Sequence, residues 1–116
     1  MRLGELIKTA EQEGKEKHVP VIEVLDCPEP GCSGKVVKVI VGKEVPHPNT
    51  VEHHIKWIAL FGVKGEVAVH IATFDLGPTY GAPEVTAHVN PEGLNSLIAV
   101  EYCNLHGLWE SEYKLQ

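Results

Sequence analysis

VEHHIKWIALFG, residues 51–62, mixes β-branched, aromatic and aliphatic side chains without helical spacing, and it is the longest strand candidate in the chain. Working outward, upstream of it lie "KVVKVIVGK" (35–43), a compact Val/Ile run ended by Gly42, and "HVPVIEVL" (18–25), whose Pro20 suits a strand start or an edge. Downstream follow "EVAVHIATF" (66–74), "EVTAHV" (84–89), "LNSLIAVEYC" (94–103) and a short last segment in "ESEYKL" (110–115). Pro- and Gly-bearing turns separate nearly all of them: "GKEVPHPNT", "GVKG", "DLGPTYGAP", "NPEG" and "LHG". About seven short strands at this spacing predict an all-β protein, an antiparallel β-sandwich with Greek-key connections. Before them, Leu3, Leu6, Ile7 and Ala10 recur at helical spacing, so "LGELIKTAEQ" (3–12) predicts a short N-terminal amphipathic helix, and the polar "EGKEK" (13–17) a loop.

The chain has 116 residues, which fits one domain spanning 1–116 with a core of its own. Sixteen acidic against ten basic residues give a formal net charge of −6, which argues against nucleic acid or an anionic membrane as the main partner. No apolar run reaches membrane-spanning length and the N-terminus lacks a signal-peptide core, so a cytoplasmic protein is expected. Three cysteines cannot all pair within one chain, and at least one thiol needs another explanation.

Three of the seven histidines fall within "HPNTVEHH" (47–54), a costly crowding unless something binds them. Strand alternation through "VEHHIKWIAL" puts His53 on the face of Ile55, Trp57 and Ala59, and His54 with Glu52 and Lys56, so His53 is the better ligand candidate. His70 and His88 each lie opposite their apolar neighbours and read as surface residues. That leaves His18, His47, His53 and His106, each in or beside a loop and able to meet at one end of a sandwich. In "CNLHG", Cys103 and His106 stand three apart at a turn ending in Gly107, so one chain reversal can aim both at a single ion. Four imidazoles and a thiolate differ from the closed four-ligand shell of structural zinc. Five such ligands with one open position suit iron.

The motifs "EKHVPVIE" (16–23), "GKEVPHPNTVEHHIKWI" (42–58) and "CNLHGLWES" (103–111) closely resemble the superoxide reductases, specifically the one-iron neelaredoxin type homologous to the catalytic domain of desulfoferrodoxin. They cover about a third of the chain in the right order. The resemblance implies an immunoglobulin-like sandwich holding one mononuclear non-haem iron per chain. His18, His47, His53 and His106 would be equatorial ligands and Cys103 the axial one. It further implies that Glu16 closes the sixth position of oxidised iron and that Lys17 attracts superoxide to the open site. The reaction implied is one-electron reduction of superoxide to hydrogen peroxide, with electrons from an external donor, rubredoxin in the family, and a homo-oligomer, often a tetramer.

The chain departs from that pattern in "DCPEPGCSGK" (26–35), where Cys27 and Cys32 could be free thiols, a disulfide, or an intersubunit or metal site. Two other readings compete. A non-catalytic iron or zinc module, structural or electron-transferring, needs no Glu16 and Lys17 beside His18. An adhesion domain with incidental histidines needs no ordered Cys-x-x-His turn.

Overall fold

The computed structural model describes residues 1–15, 17–30 and 33–115; Glu16, Gly31, Cys32 and Gln116 lie outside them. Among the described residues seven strands run β1 (Val21–Asp26), β2 (Lys35–Ile40), β3 (Ile55–Lys64), β4 (Val67–Asp75), β5 (Glu84–Val89), β6 (Ser96–Cys103) and β7 (Gly107–Lys114). A three-stranded sheet in the order β1-β2-β5 packs against a four-stranded sheet in the order β4-β3-β6-β7, every pairing antiparallel. The immunoglobulin-like sandwich expected from the sequence is therefore present. No helix among the described residues is long and apolar enough to cross a membrane.

Period-two alternation builds the core. Val37, Val39 and Val41 continue one face of β2, and Leu97 and Ala99 one face of β6; all are buried. With Ile58 and Leu60 of β3 they form the packed centre between the sheets. Full burial of such side chains contributes about 1.5–3 kcal/mol each, which gives the loops at the sandwich ends a rigid floor.

Alternation fails at one place that matters. The β3–β6 register slips between Ile55 and Trp57, so Ile55 points into the core while Trp57 does not. The predicted face shared by His53, Ile55, Trp57 and Ala59 therefore does not exist. Nor are the two histidines in the strand: the chain turns tightly at 50–53, with Thr50 and His53 exchanging backbone hydrogen bonds of 2.8 and 3.3 Å.

The N-terminal helix is shorter than its apolar spacing predicts. Residues Leu3–Leu6 are helical (α1), and Ala10–Gln12 form a separate 3₁₀ turn. Between them the backbone of Lys8 bonds both ways to β7, its N–H donating to Leu108 O and its carbonyl accepting from Glu110 N–H, each at 2.9 Å. The free edge of β7 satisfies those groups in place of a helix.

Seven strand ends meet at one end of the sandwich: the starts of β1, β3, β5 and β7 and the ends of β2, β4 and β6. Gly42 bends the β2–β3 connection with φ +82°, and a Cβ there would stand 2.5 Å from His47 N, so only glycine lets the chain fold back to deliver His47. The β1–β2 turn lies at the opposite end. Cys27 in it is disulfide-bonded, which removes the free-thiol reading for that residue; Cys32 lies outside the described residues.

Candidate metal centre

His18 comes from the segment before β1, His47 and His53 from the β2–β3 connection, and Cys103 from the last position of β6. One donor atom from each lies within 4.8 Å of all the others. A metal held by such donors at about 2.0–2.3 Å would separate opposite ones by roughly 4.0–4.6 Å, so the group fits a single ion with little adjustment. His106 completes the ring: its Nδ1 stands 3.2 Å from His18 Nε2 and 3.7 Å from Cys103 Sγ. The structure thus brings together all four histidines and the cysteine expected from the sequence. The cysteine is wholly buried, His18 and His47 are buried, and His53 and His106 are half-buried.

The second ring nitrogens fix how these side chains point. His47 Nδ1 lies 2.7 Å from Pro48 O. A carbonyl can only accept, so Nδ1 carries the proton and Nε2, 3.8 Å from Cys103 Sγ, presents its lone pair inward. The ring of His18 stacks on Trp109 at 4.7 Å between centroids and 13° between planes. The backbone N–H groups of His18 and Val19 both donate to Glu13 Oε2, at 2.9 and 2.7 Å.

Lys17, expected to be the substrate-attracting cation, sits 3.9 Å from Glu13 Oε1 with its side chain 40% exposed. Glu16 lies outside the described residues. His70 and His88 are exposed, in accord with the sequence reading. His54 is buried, and its Nδ1–H donates to Thr50 O at 3.0 Å, so it braces the turn.

Sequence reasoning missed three residues that position these candidate ligands. In the sequence Glu13 reads only as part of the polar loop 13–17, and Trp109 carries no signal beyond its apolarity. Asn104 ties two loops together: its Oδ1 accepts from His54 N–H at 2.8 Å and its Nδ2 donates to Glu52 O at 2.9 Å. It stands between Cys103 and His106 and grips the segment bearing His53. The signal available was the small polar residue inside "CNLHG". Asn104→Ala is expected to weaken metal affinity by about 10–100-fold, the usual loss when an outer-shell partner is removed. Competition against a chromogenic chelator measures it. Unchanged affinity would mean that the backbone bond from Asn104 N–H to His54 O, 3.1 Å, suffices alone.

Close to the site, Glu101 of β6 is completely buried, and neither carboxyl oxygen has a hydrogen-bond partner among the described residues. Burial pushes its pKa up to about 9. At neutral pH it is a neutral acid and adds no charge to the interior.

The family model for desulfoferrodoxin matches residues 10–112. A superoxide reductase of Thermococcus kodakarensis is 39% identical over 128 residues, covering 98% of this chain and 99% of that protein. Among solved structures, a superoxide reductase in the oxidised state superposes with a TM-score of 0.84 at 36% identity, covering 99% of this chain and 100% of the other. The superoxide reductase (neelaredoxin) of Archaeoglobus fulgidus in the reduced form gives 0.78 at 41% identity, covering 96% and 98%.

Proposed function

We infer that this chain, which belongs to the desulfoferrodoxin family, is a superoxide reductase that takes superoxide by one electron to hydrogen peroxide without dismutation. The carrying observation is the convergence of His18, His47, His53 and Cys103 donors within 4.8 Å at one end of the sandwich. His18, His47, His53, His106 and Cys103 hold one mononuclear non-haem iron, and Glu16 is its further ligand when oxidised. Bound there, iron supplies the Fe(II)/Fe(III) couple that the one-electron reduction requires. The single domain is residues 1–116.

The protein's own groups do the rest. Four neutral imidazoles and one thiolate leave a divalent ion with net charge +1, which offsets locally the formal −6 of the chain that would otherwise repel an anion. Asn104, Glu13 and Trp109 hold the ligand loops in place. The reaction consumes one electron and two protons per superoxide, and the ammonium of Lys17, beside His18 and part-exposed, orders water that delivers protons on that side. The electron comes from a separate donor, rubredoxin by family resemblance. We place the protein in the cytoplasm, where the disulfide at Cys27 is an exception to the usual reduced state of thiols.

A homo-oligomer, with a tetramer favoured, is supported by the outer face of the four-stranded sheet. Antiparallel sheets commonly turn a polar face outward. Here Trp57, Phe61, Ile98, Val100 and Leu108 line an apolar groove of about 560 Å³.

Product stoichiometry tests the activity. With iron-loaded protein, an external reductant and a superoxide pulse, one hydrogen peroxide should form for each superoxide consumed. A ratio of one to two would mean dismutation. Superoxide decay at the background rate would favour the non-catalytic metal module.

A further inference from the structure

A cleft of about 490 Å³ opens on the site where His18 and His106 meet, completed by Lys8, Gln12, Lys15 and Trp109. Lys8 is held there by the backbone pairing with β7 that interrupts the N-terminal helix. Its Nζ donates to His106 O at 3.3 Å and stands 5.3 Å from the centroid of the Trp109 ring, the same ring that stacks on His18. The indole Nε1–H of Trp109 donates to that same carbonyl, at 3.2 Å.

Both partners of this ammonium are uncharged. A carbonyl and a π-face orient a cation without cancelling its charge. Among the described residues no carboxylate comes within ion-pair distance of Lys8, whereas Glu13 lies 3.9 Å from Lys17 and offsets its field. A protein of net negative charge can attract a small anion only through local positive potential, and a cleft with low-dielectric walls concentrates such a field. We propose that Lys8 is a second guiding cation of this site, beside Lys17: it draws superoxide, a small monoanion, into the cleft beside His18 and His106, and the exposed Lys15 adds a further charge. The role of substrate guide rests on the superoxide reductase reading; the affinity of the cleft for a monoanion does not.

Two measurements on full-length protein test it. In the iron-loaded form, Lys8→Gln should lower the second-order rate constant with superoxide roughly three- to tenfold at about 10 mM ionic strength. The gap should close near 0.5 M salt, where the screening length falls to a few ångströms, and Lys8→Arg should keep the wild-type profile. A deficit equal at all salt concentrations would mean that Lys8 only props the ligands, and would overturn the proposal.

The second readout needs no turnover. In the zinc-loaded Trp57→Phe background the one remaining indole N–H belongs to Trp109. Its NMR resonance should shift saturably with sodium nitrate, and the shift should vanish with Lys8→Gln. No shift with Lys8 present would overturn the proposal. A nitrate shift in a protein whose iron form leaves superoxide untouched would keep the anion site and remove both the guiding role and the assigned activity.

Discussion

Cys103→Ser is expected to bleach the oxidised, iron-loaded protein and to cost at least about 100-fold in superoxide reduction, because losing even an outer-shell partner costs 10–100-fold. Cys103 is the one fully buried donor of the cluster, with Sγ 3.8 Å from His47 Nε2 and 3.7 Å from His106 Nδ1. A ferric thiolate absorbs strongly in the visible by sulfur-to-metal charge transfer, and an alkoxide or alcohol in its place does not. The thiolate also supplies the only ligand charge among five side chains, so its loss raises the net charge of the reduced centre by one. Visible spectra of the two proteins at equal iron content, followed by rapid mixing with superoxide, decide the matter. A variant that keeps both its colour and its rate would show that Cys103 is a buried bystander. A variant that binds no iron would place the thiolate in assembly of the site as well.

The site was more legible in the sequence than the local structure that builds it. His18, His47, His53, Cys103 and His106 are chemically conspicuous, and their positions in turns let a sandwich gather them at one end. Yet strand alternation leads to His53 by a route the structure does not follow. The register slip beside Ile55 breaks the strand face, and His53 projects from a turn closed on Thr50. A bulge adds one residue without a sequence mark of its own, so period-two reasoning carries straight through it. The helix expected over 3–12 stops after Leu6 for a non-local reason: Lys8 bonds to Leu108 and Glu110, a hundred residues away in the chain. Apolar spacing cannot report a free strand edge. Asn104 and Glu13 act through backbone contacts to ligand-bearing segments, and those become visible only once the loops stand side by side.

Glu101 is the other residue that pattern reading could not place, because it occupies an inward position between Ala99 and Cys103 that alternation reserves for apolar side chains. Its carboxyl is fully buried without hydrogen-bond partners among the described residues, and burial raises its pKa from 4.5 to about 9. Below pH 4.5 the group is neutral folded and unfolded, and it imposes no pH-dependent penalty. Between 4.5 and 9 the unfolded chain gives up this proton while the folded one keeps it. Stability then drains away by about 1.4 kcal/mol per pH unit, and the loss saturates above the folded pKa. Glu101→Gln keeps the shape and removes the titration. Its advantage over wild type should therefore grow by about 3 kcal/mol between pH 5 and pH 7 and keep growing toward pH 8.5. Denaturant unfolding of both proteins, loaded with the same metal, measures this difference. Protons taken up by the ligands when metal is released are common to both chains and cancel. Parallel stability curves would mean that the carboxyl is ionised in the folded protein and has a cation or water at hand. A growing gap would identify Glu101 as a neutral acid kept within two residues of the thiolate, at a standing cost in stability.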